Sequence, residues 1–548
     1  MAWTQVYDPV VSEVVSACIA AIPLVILLYM LAIKRAKGHI AALAGLASAF
    51  IIAVLIWRMP VVTAISSVGL GVANGLFPII WIVITAVWVY NMTVESGEFE
   101  IIKDSLARVT PDRRLQTIFI AFAFGSFLEG TAGFGTPVAI TAAMLAGLGF
   151  NPIYGAGLCL IANTAPVAFG AIGAPVLTAA SVSGMDPNLI SQVAARQLPL
   201  LAIIIPFWLS IVMCGFRRSM EILPAILVAG VCFAGAQFIF ANFHGPTLPD
   251  IMSAIATIVG LLVLLRYWKP SSIFRFAEDP AISTDGHGYS GKVVLRAWGP
   301  YLILAVMVFL WGLPQFKAVL NSISAPSFAW PLLDGMVNRA APIVASESPY
   351  AAVFTFGWVS AGGTAILLSG FIAVPLMPGY SYAKAVKCFF TTLHQLRFPI
   401  LTIASVLGLA FLMNYAGMSS TLGLAFTKTG SFFHTGWLFP FFSPLLGWLG
   451  VFLTGSDTSS CALFGGMQKD TALAVGMRPE LAVASNAVGG VTGKMISPQS
   501  ISVATSATNM VGQEGNLFRF ALGHSIALTL ILCVLAYCQA GFLSWMLP

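Results

Sequence analysis

The sequence predicts an all-α polytopic membrane protein of about 12 transmembrane helices plus two re-entrant hairpins or broken helices, arranged as an inverted internal repeat. Three observations carry this. Hydrophobic residues make up 58% and charged residues 8% of the 548 residues, and the mean hydropathy is +0.92, which no soluble domain of ordinary composition approaches. Apolar runs long enough to cross a bilayer recur along the whole chain. Two of them each contain one acid, Glu129 and Asp457, among glycines and hydroxyls, although a carboxylate at bilayer depth costs roughly 3 kcal/mol and needs a partner or a task.

A span takes about 20 apolar residues. Such runs occupy residues 14 to 33, 39 to 57, 76 to 92, 153 to 181, 195 to 214, 222 to 241, 250 to 265, 297 to 313, 348 to 376, 398 to 413, 481 to 510 and 521 to 546. The first follows Asp8 and Glu13 and precedes Lys34, Arg35 and Lys37, the reverse of a signal peptide, so it is expected to be an uncleaved anchor with its N-terminus outside. The other basic clusters, around Arg113 and Arg114, Arg217 and Arg218, Lys269 to Arg296, and Lys384 to Arg397, then mark the cytoplasmic side. The C-terminus is expected outside as well. Topology therefore accounts for the net charge of +6, and nucleic acid is not an expected partner. The eight cysteines show no CxxC spacing and read as packing residues, so no metal or disulfide framework is expected.

The hydrophilic stretch 268–296 divides the chain into an N-terminal half, 1–267, and a C-terminal half, 297–548. Each half repeats one order of motifs. FLEGTAGFG from Phe127 leads to NTAPVAFGAIGAP from Asn163, and FLTGSDTSS from Phe452 leads to NAVGGVTGKMISP from Asn486, with 35 residues from Leu128 to Asn163 and 33 from Leu453 to Asn486. The charge markers start the Glu129 segment from the cytoplasm and the Asp457 segment from outside, so the copies are inverted. Residues 115 to 150 are too long for one span and tight for two, which suits a re-entrant hairpin; the same construction serves 437 to 466. Inverted repeats whose broken helices converge near the midplane are a recurring plan of secondary transporters.

A small organic anion held near the midplane needs hydrogen-bond donors and a small apolar wall. Candidate ligands are Thr131, Gly133, Gly135 and Thr136 on one side and Ser456, Thr458, Ser459 and Ser460 on the other, with Asn163, Asn486 and Lys494, the one cation well inside a core segment. Asn163 and Asn486 are expected to begin paired broken segments. Glu129 and Asp457 are the candidates for proton coupling. Each has a plainer reading: the hydroxyls bond their own helices, the glycines permit close packing, Asp457 and Lys494 form a structural ion pair, and Arg196, His394 and Arg397 are juxtamembrane anchors. A channel would call for a continuous polar lining, and a membrane-embedded enzyme for a catalytic cluster that the six scattered histidines do not supply. GxxxxGK[ST] does not occur, so ATP-driven transport by this chain alone is not expected, and no cofactor is called for.

GLFPIIWIV from Gly75, FLEGTAGFGTPVAIT, GLCLIANTAPVAFGAIG from Gly157, RQLP from Arg196, GWLGVFLTGSDTSSCALF from Gly447 and GGVTGKMISPQSI from Gly489 together resemble the lactate permease family, the bacterial L-lactate and glycolate permeases, over nearly the entire chain. The resemblance implies proton-linked uptake of short 2-hydroxymonocarboxylates across the bacterial inner membrane, with the bilayer, protons and L-lactate, D-lactate or glycolate as partners and no enzymatic activity. Thr131 and Thr136 stand where the family commonly has alanine, and Cys461 where it has asparagine, which bears on the preferred acid. Coupling to Na⁺ stays open, because unwound carbonyls beside Asn163 and Asn486 could hold it. Oligomeric state is not legible.

Overall fold

The computed structural model describes residues 2–32, 34, 36–131, 133, 136–276, 289–341, 343–344, 346–432, 438–510 and 512–548. Among these, eight helices are long and apolar enough to cross a membrane: Gly38–Leu55, Val61–Glu95, Leu198–Met220, Leu223–Phe243, Pro249–Tyr267, Gly291–Gly312, Arg397–Ala416 and Glu514–Ala540. A ninth crossing arises if Pro152–Ala162 and Val167–Ser183, bent by 67° at their junction, form one broken span. Shorter apolar helices account for most of the other runs.

Two of the expected spans are cut short, each for a local reason. The run from 348 does not start as a helix. Ser348–Pro349 and Val353–Thr355 are short strands, the latter antiparallel to Ser327–Ala329, and the helix begins only at Gly362. Pro349 lacks an amide hydrogen and the Val-Phe-Thr stretch favours a pleated backbone. The run 481 to 510 splits into Pro479–Lys494 and Pro498–Ala507, because Pro498 cannot continue the first helix. The break thus falls after Lys494, and Asn486 sits inside an unbroken helix rather than beginning a broken segment.

Both suspected hairpins are helix–turn–helix units. The first runs from Arg113 through Thr131 and returns as Thr136–Gly147. The second rises as Phe439–Thr454, turns at Gly455 with φ 72°, and returns as Asp457–Ala474. The second hairpin packs against Pro479–Lys494 at backbone distance: a Cβ on Gly447, Gly489 or Gly493 would strike the carbonyls of Asn486, Pro444 and Trp448. Small residues at such crossings let dispersion act between backbones where lipid removes the hydrophobic drive.

Two clusters of polar contacts tie helix ends and loops together. At one, Arg114 donates to Asp112, Glu221 and the carbonyls of Arg218 and Ser272, tying the start of the 268–276 segment to the first hairpin. At the other, Trp3–Thr4 lies parallel to Val337–Asn338, Tyr7 accepts from the Ala340 amide, and Lys469 donates to the Ser183 carbonyl.

Candidate functional site

Glu129 stands in the last turn before the first hairpin reverses, and Lys494 is the last residue of its helix. The two come from opposite halves of the chain, and Lys494 Nζ donates to Glu129 Oε1 at 2.5 Å with side chains 8% and 3% exposed. The sequence-based pairing of Lys494 with Asp457 is thereby corrected: Glu129 is the ion-pair partner. Gly170 makes room for this, since a Cβ there would lie 2.7 Å from Glu129 Oε1.

Asp457 opens its helix. Ser456 Oγ caps it by accepting from the Ser459 amide at 3.3 Å, and the Cys461 thiol contacts Asp457 Oδ1 at 3.8 Å. A Cβ on Gly490 would strike Asp457 Oδ1. Both hairpin turns and the break at 163–173 then enclose a cavity of about 30 Å³. The first hairpin contributes Glu129 and Gly133, the second Gly455, Ser456, Asp457 and Thr458, and the broken span Gly170 and Ala171; Lys494 and Gln499 close it. Ala171 and Ile172 have φ of 44° and 57°, left-handed values that cost non-glycine residues roughly 1 kcal/mol or more each and concentrate at functional sites.

Of the expected site residues, Glu129, Gly133, Ser456, Asp457, Thr458 and Lys494 line this cavity. The others go elsewhere. Thr131 donates to the Phe127 carbonyl of its own helix, and Ser460 to the Gly447 carbonyl. Ser459 is outside the lining. Asn486 donates to Cys461 and accepts from Gln468, and Asn163 is buried at the break with its Oδ1 unpaired. Gly135 lies outside the described residues, as does the side chain of Thr136. Arg196 is bonded to Gln192 and Asn242, and Arg397 to His394, and neither lines the cavity.

Two residues were not expected. Gln499 faces the Gly455 turn closely enough that a Cβ on the glycine would strike it; its only signal is its place after the Ser-Pro that ends the lysine helix. Asp250 is 1% exposed with neither carboxylate oxygen hydrogen-bonded, and a Cβ on Gly130 would lie 2.8 Å from its Cβ. It opens an apolar run, where an acid reads as interfacial, so nothing in the pattern singles it out.

A multi-pass helical chain that buries an ion pair and a further acid, Asp457, around a cavity between interrupted helices is a membrane transport protein in its build. The family model for L-lactate permease matches residues 16–543, and the chain belongs to that family, whose members are permeases rather than enzymes. It is 48% identical over 556 residues to the L-lactate permease of Escherichia coli (strain K12) and 47% identical over 570 residues to that of Bacillus subtilis (strain 168), with all of each chain covered. The glycolate permease GlcA of Escherichia coli (strain K12) is 47% identical over 562 residues, covering 100% of this chain and 99% of its own. Among solved structures, the Alcanivorax borkumensis YdaH transporter aligns over 85% of this chain and 86% of its own at 16% identity with a TM-score of 0.45, a likeness too loose to carry an argument.

Proposed function

We propose that this chain imports L-lactate and related short 2-hydroxymonocarboxylates, glycolate and D-lactate included, by proton symport across the bacterial inner membrane. The observation that carries the coupling is the buried Lys494–Glu129 pair. A substrate carboxylate attracted to Lys494 must displace Glu129, and a glutamate left ionised at that burial is strongly disfavoured. A proton on Glu129 removes the penalty, so anion and proton bind together. Ser456 and Thr458 supply hydroxyls beside the lysine, and Gly133 and Gly170 keep the opposite wall small. The cavity has room for about two waters, so lactate enters only after the hairpin tips part.

We assign the halves 1–267 and 297–548 to the two repeats, with 268–296 as their cytoplasmic linker, about twelve crossings, and both termini outside. One observation favours a second reading, Na⁺ coupling: Asn163 Oδ1 and Thr164 Oγ1 are buried side by side in sequence without hydrogen-bond partners at the helix break, the kind of oxygen pair a cation takes. L-lactate uptake into proteoliposomes with ΔpH and ΔNa⁺ imposed separately tests both. Accumulation under ΔpH alone is the expected result, and accumulation that requires ΔNa⁺ would replace the proton with sodium.

A further inference from the structure

We propose that Asp250 is the residue that hands the coupled proton to Glu129. This rests on the symport reading above and adds a proton carrier that does not itself touch the substrate.

Asp250 sits in the first turn of Pro249–Tyr267 and is buried, and both its oxygens lack hydrogen-bond donors. The titratable group facing it from the first hairpin is Glu129, and Lys494 lies in electrostatic reach beyond it. From Leu223–Phe243 the polar neighbour is Gln237, and the packed stretch Ile118–Phe124 offers only apolar side chains. Gln237 gives its Nε2 to the Ala165 carbonyl at 3.3 Å, leaving Oε1 unpaired. Gln237 is the polar neighbour that could donate to an ionised Asp250, and a single neutral donor does not offset the burial of a charge. Charge balance agrees. One ammonium offsets one carboxylate, and Glu129 already holds it, so a second ion there would be a buried, uncompensated charge.

Gly130 brings the two acids together, because any larger residue would push the Asp250 helix off the hairpin tip. Asp250 is also absent from the cavity lining, so it does not meet a solute held there. The two carboxyls are not hydrogen-bonded while Lys494 holds Glu129; when the anion takes Lys494, the freed Glu129 side chain swings to Asp250, whose O–H breaks as one forms on Glu129. Asp250 then regains a proton from the outer aqueous phase. One proton enters per anion, and no other reactant is needed.

The test is Asp250→Asn in proteoliposomes beside the wild type. Exchange of labelled for unlabelled lactate involves no net proton movement and should persist, whereas ΔpH-driven accumulation should slow on the order of 100-fold, the scale of removing a positioned proton-transfer group. Asp250→Glu should recover part of it with a shifted pH profile. Full accumulation by Asp250→Asn with an unchanged pH profile would overturn the proposal, while a wild type that ignores ΔpH would sink the symport reading instead. If Asp250→Asn does not fold, wild-type protein treated with a hydrophobic carbodiimide, which attacks protonated carboxyls, should carry an adduct on Asp250 by peptide mass spectrometry. An unmodified Asp250 at the pH of transport would also overturn it.

Discussion

Lys494 is 6% exposed and has one carboxylate to balance, so its removal acts twice: it strips the anion site of its charge and leaves Glu129 uncompensated, at a cost of about 3–5 kcal/mol when a buried pair is broken from one side. Lys494→Gln should abolish uptake or raise the KM for lactate sharply. Unchanged lactate binding to a stably folded Lys494→Gln protein would make the lysine structural. Glu129→Gln removes the need for a proton, so we expect labelled exchange to survive while accumulation under ΔpH is lost; normal accumulation would take Glu129 out of the coupling step. Thr458→Ala, which deletes one neutral hydroxyl from the cavity, should weaken lactate by about 1 kcal/mol, several-fold in KM, whereas Ser459→Ala should leave KM alone. The lone acid and lone lysine in apolar runs stood out in the sequence because charge in that setting is expensive. Their partnership did not, since 365 residues separate them, and Ser, Thr and Asn are too versatile for a pattern to tell a ligand from a helix-bonded side chain.

At the scale of elements, glycine placement separates packing from tolerance. Gly489 faces the Pro444 carbonyl with no room for a methyl, while Gly523 has nothing within 4 Å of where its Cβ would go. Gly489→Ala should therefore lower the Tm markedly in detergent, and Gly523→Ala should raise it slightly, by up to about 1 kcal/mol of helix propensity. Equal Tm values for the two variants would refute the contact. The Arg114 anchor makes a separate prediction. Glu221, outside the membrane-spanning helices, is held below the usual carboxylate range by the Ser272 hydroxyl and then the Arg114 guanidinium. A depressed carboxyl lends stability above its unfolded value and loses it as pH falls, so the anchor should loosen on acidification below the ordinary glutamate value of 4.5. Proteolysis at residues 268–276 should then accelerate in the wild type, and Glu221→Gln should already be fast at neutral pH. Hairpin turns and the broken span were legible from length and glycine content. The strands at 348–355 were not, because a short apolar run reads alike as helix or strand.

For the whole molecule, the orientation proposed from the basic clusters can be tested by labelling. In a background freed of the eight native cysteines, single cysteines at 186 and 334 should react with an impermeant maleimide added to intact cells, and one at 285 should not; reaction at 285 would invert the topology. The polytopic helical class was plain from composition alone, since bilayer solvation leaves no other use for so apolar a chain. The contacts that join the halves were hidden, because residues that meet across a bundle leave no periodic trace. One of them bears on how the protein is made. Trp3 and Thr4 complete a strand beside Val337 and Asn338, and Gln5 donates to the carbonyls of Asn414 and Tyr415. Residues translated near the start must wait to pair until more than half of the chain has followed them. Biogenesis therefore closes in a loop, with the earliest segment docked on residues made past the chain's midpoint, and a ribosome halted before residue 337 leaves the Trp3–Thr4 strand without its Val337–Asn338 neighbour.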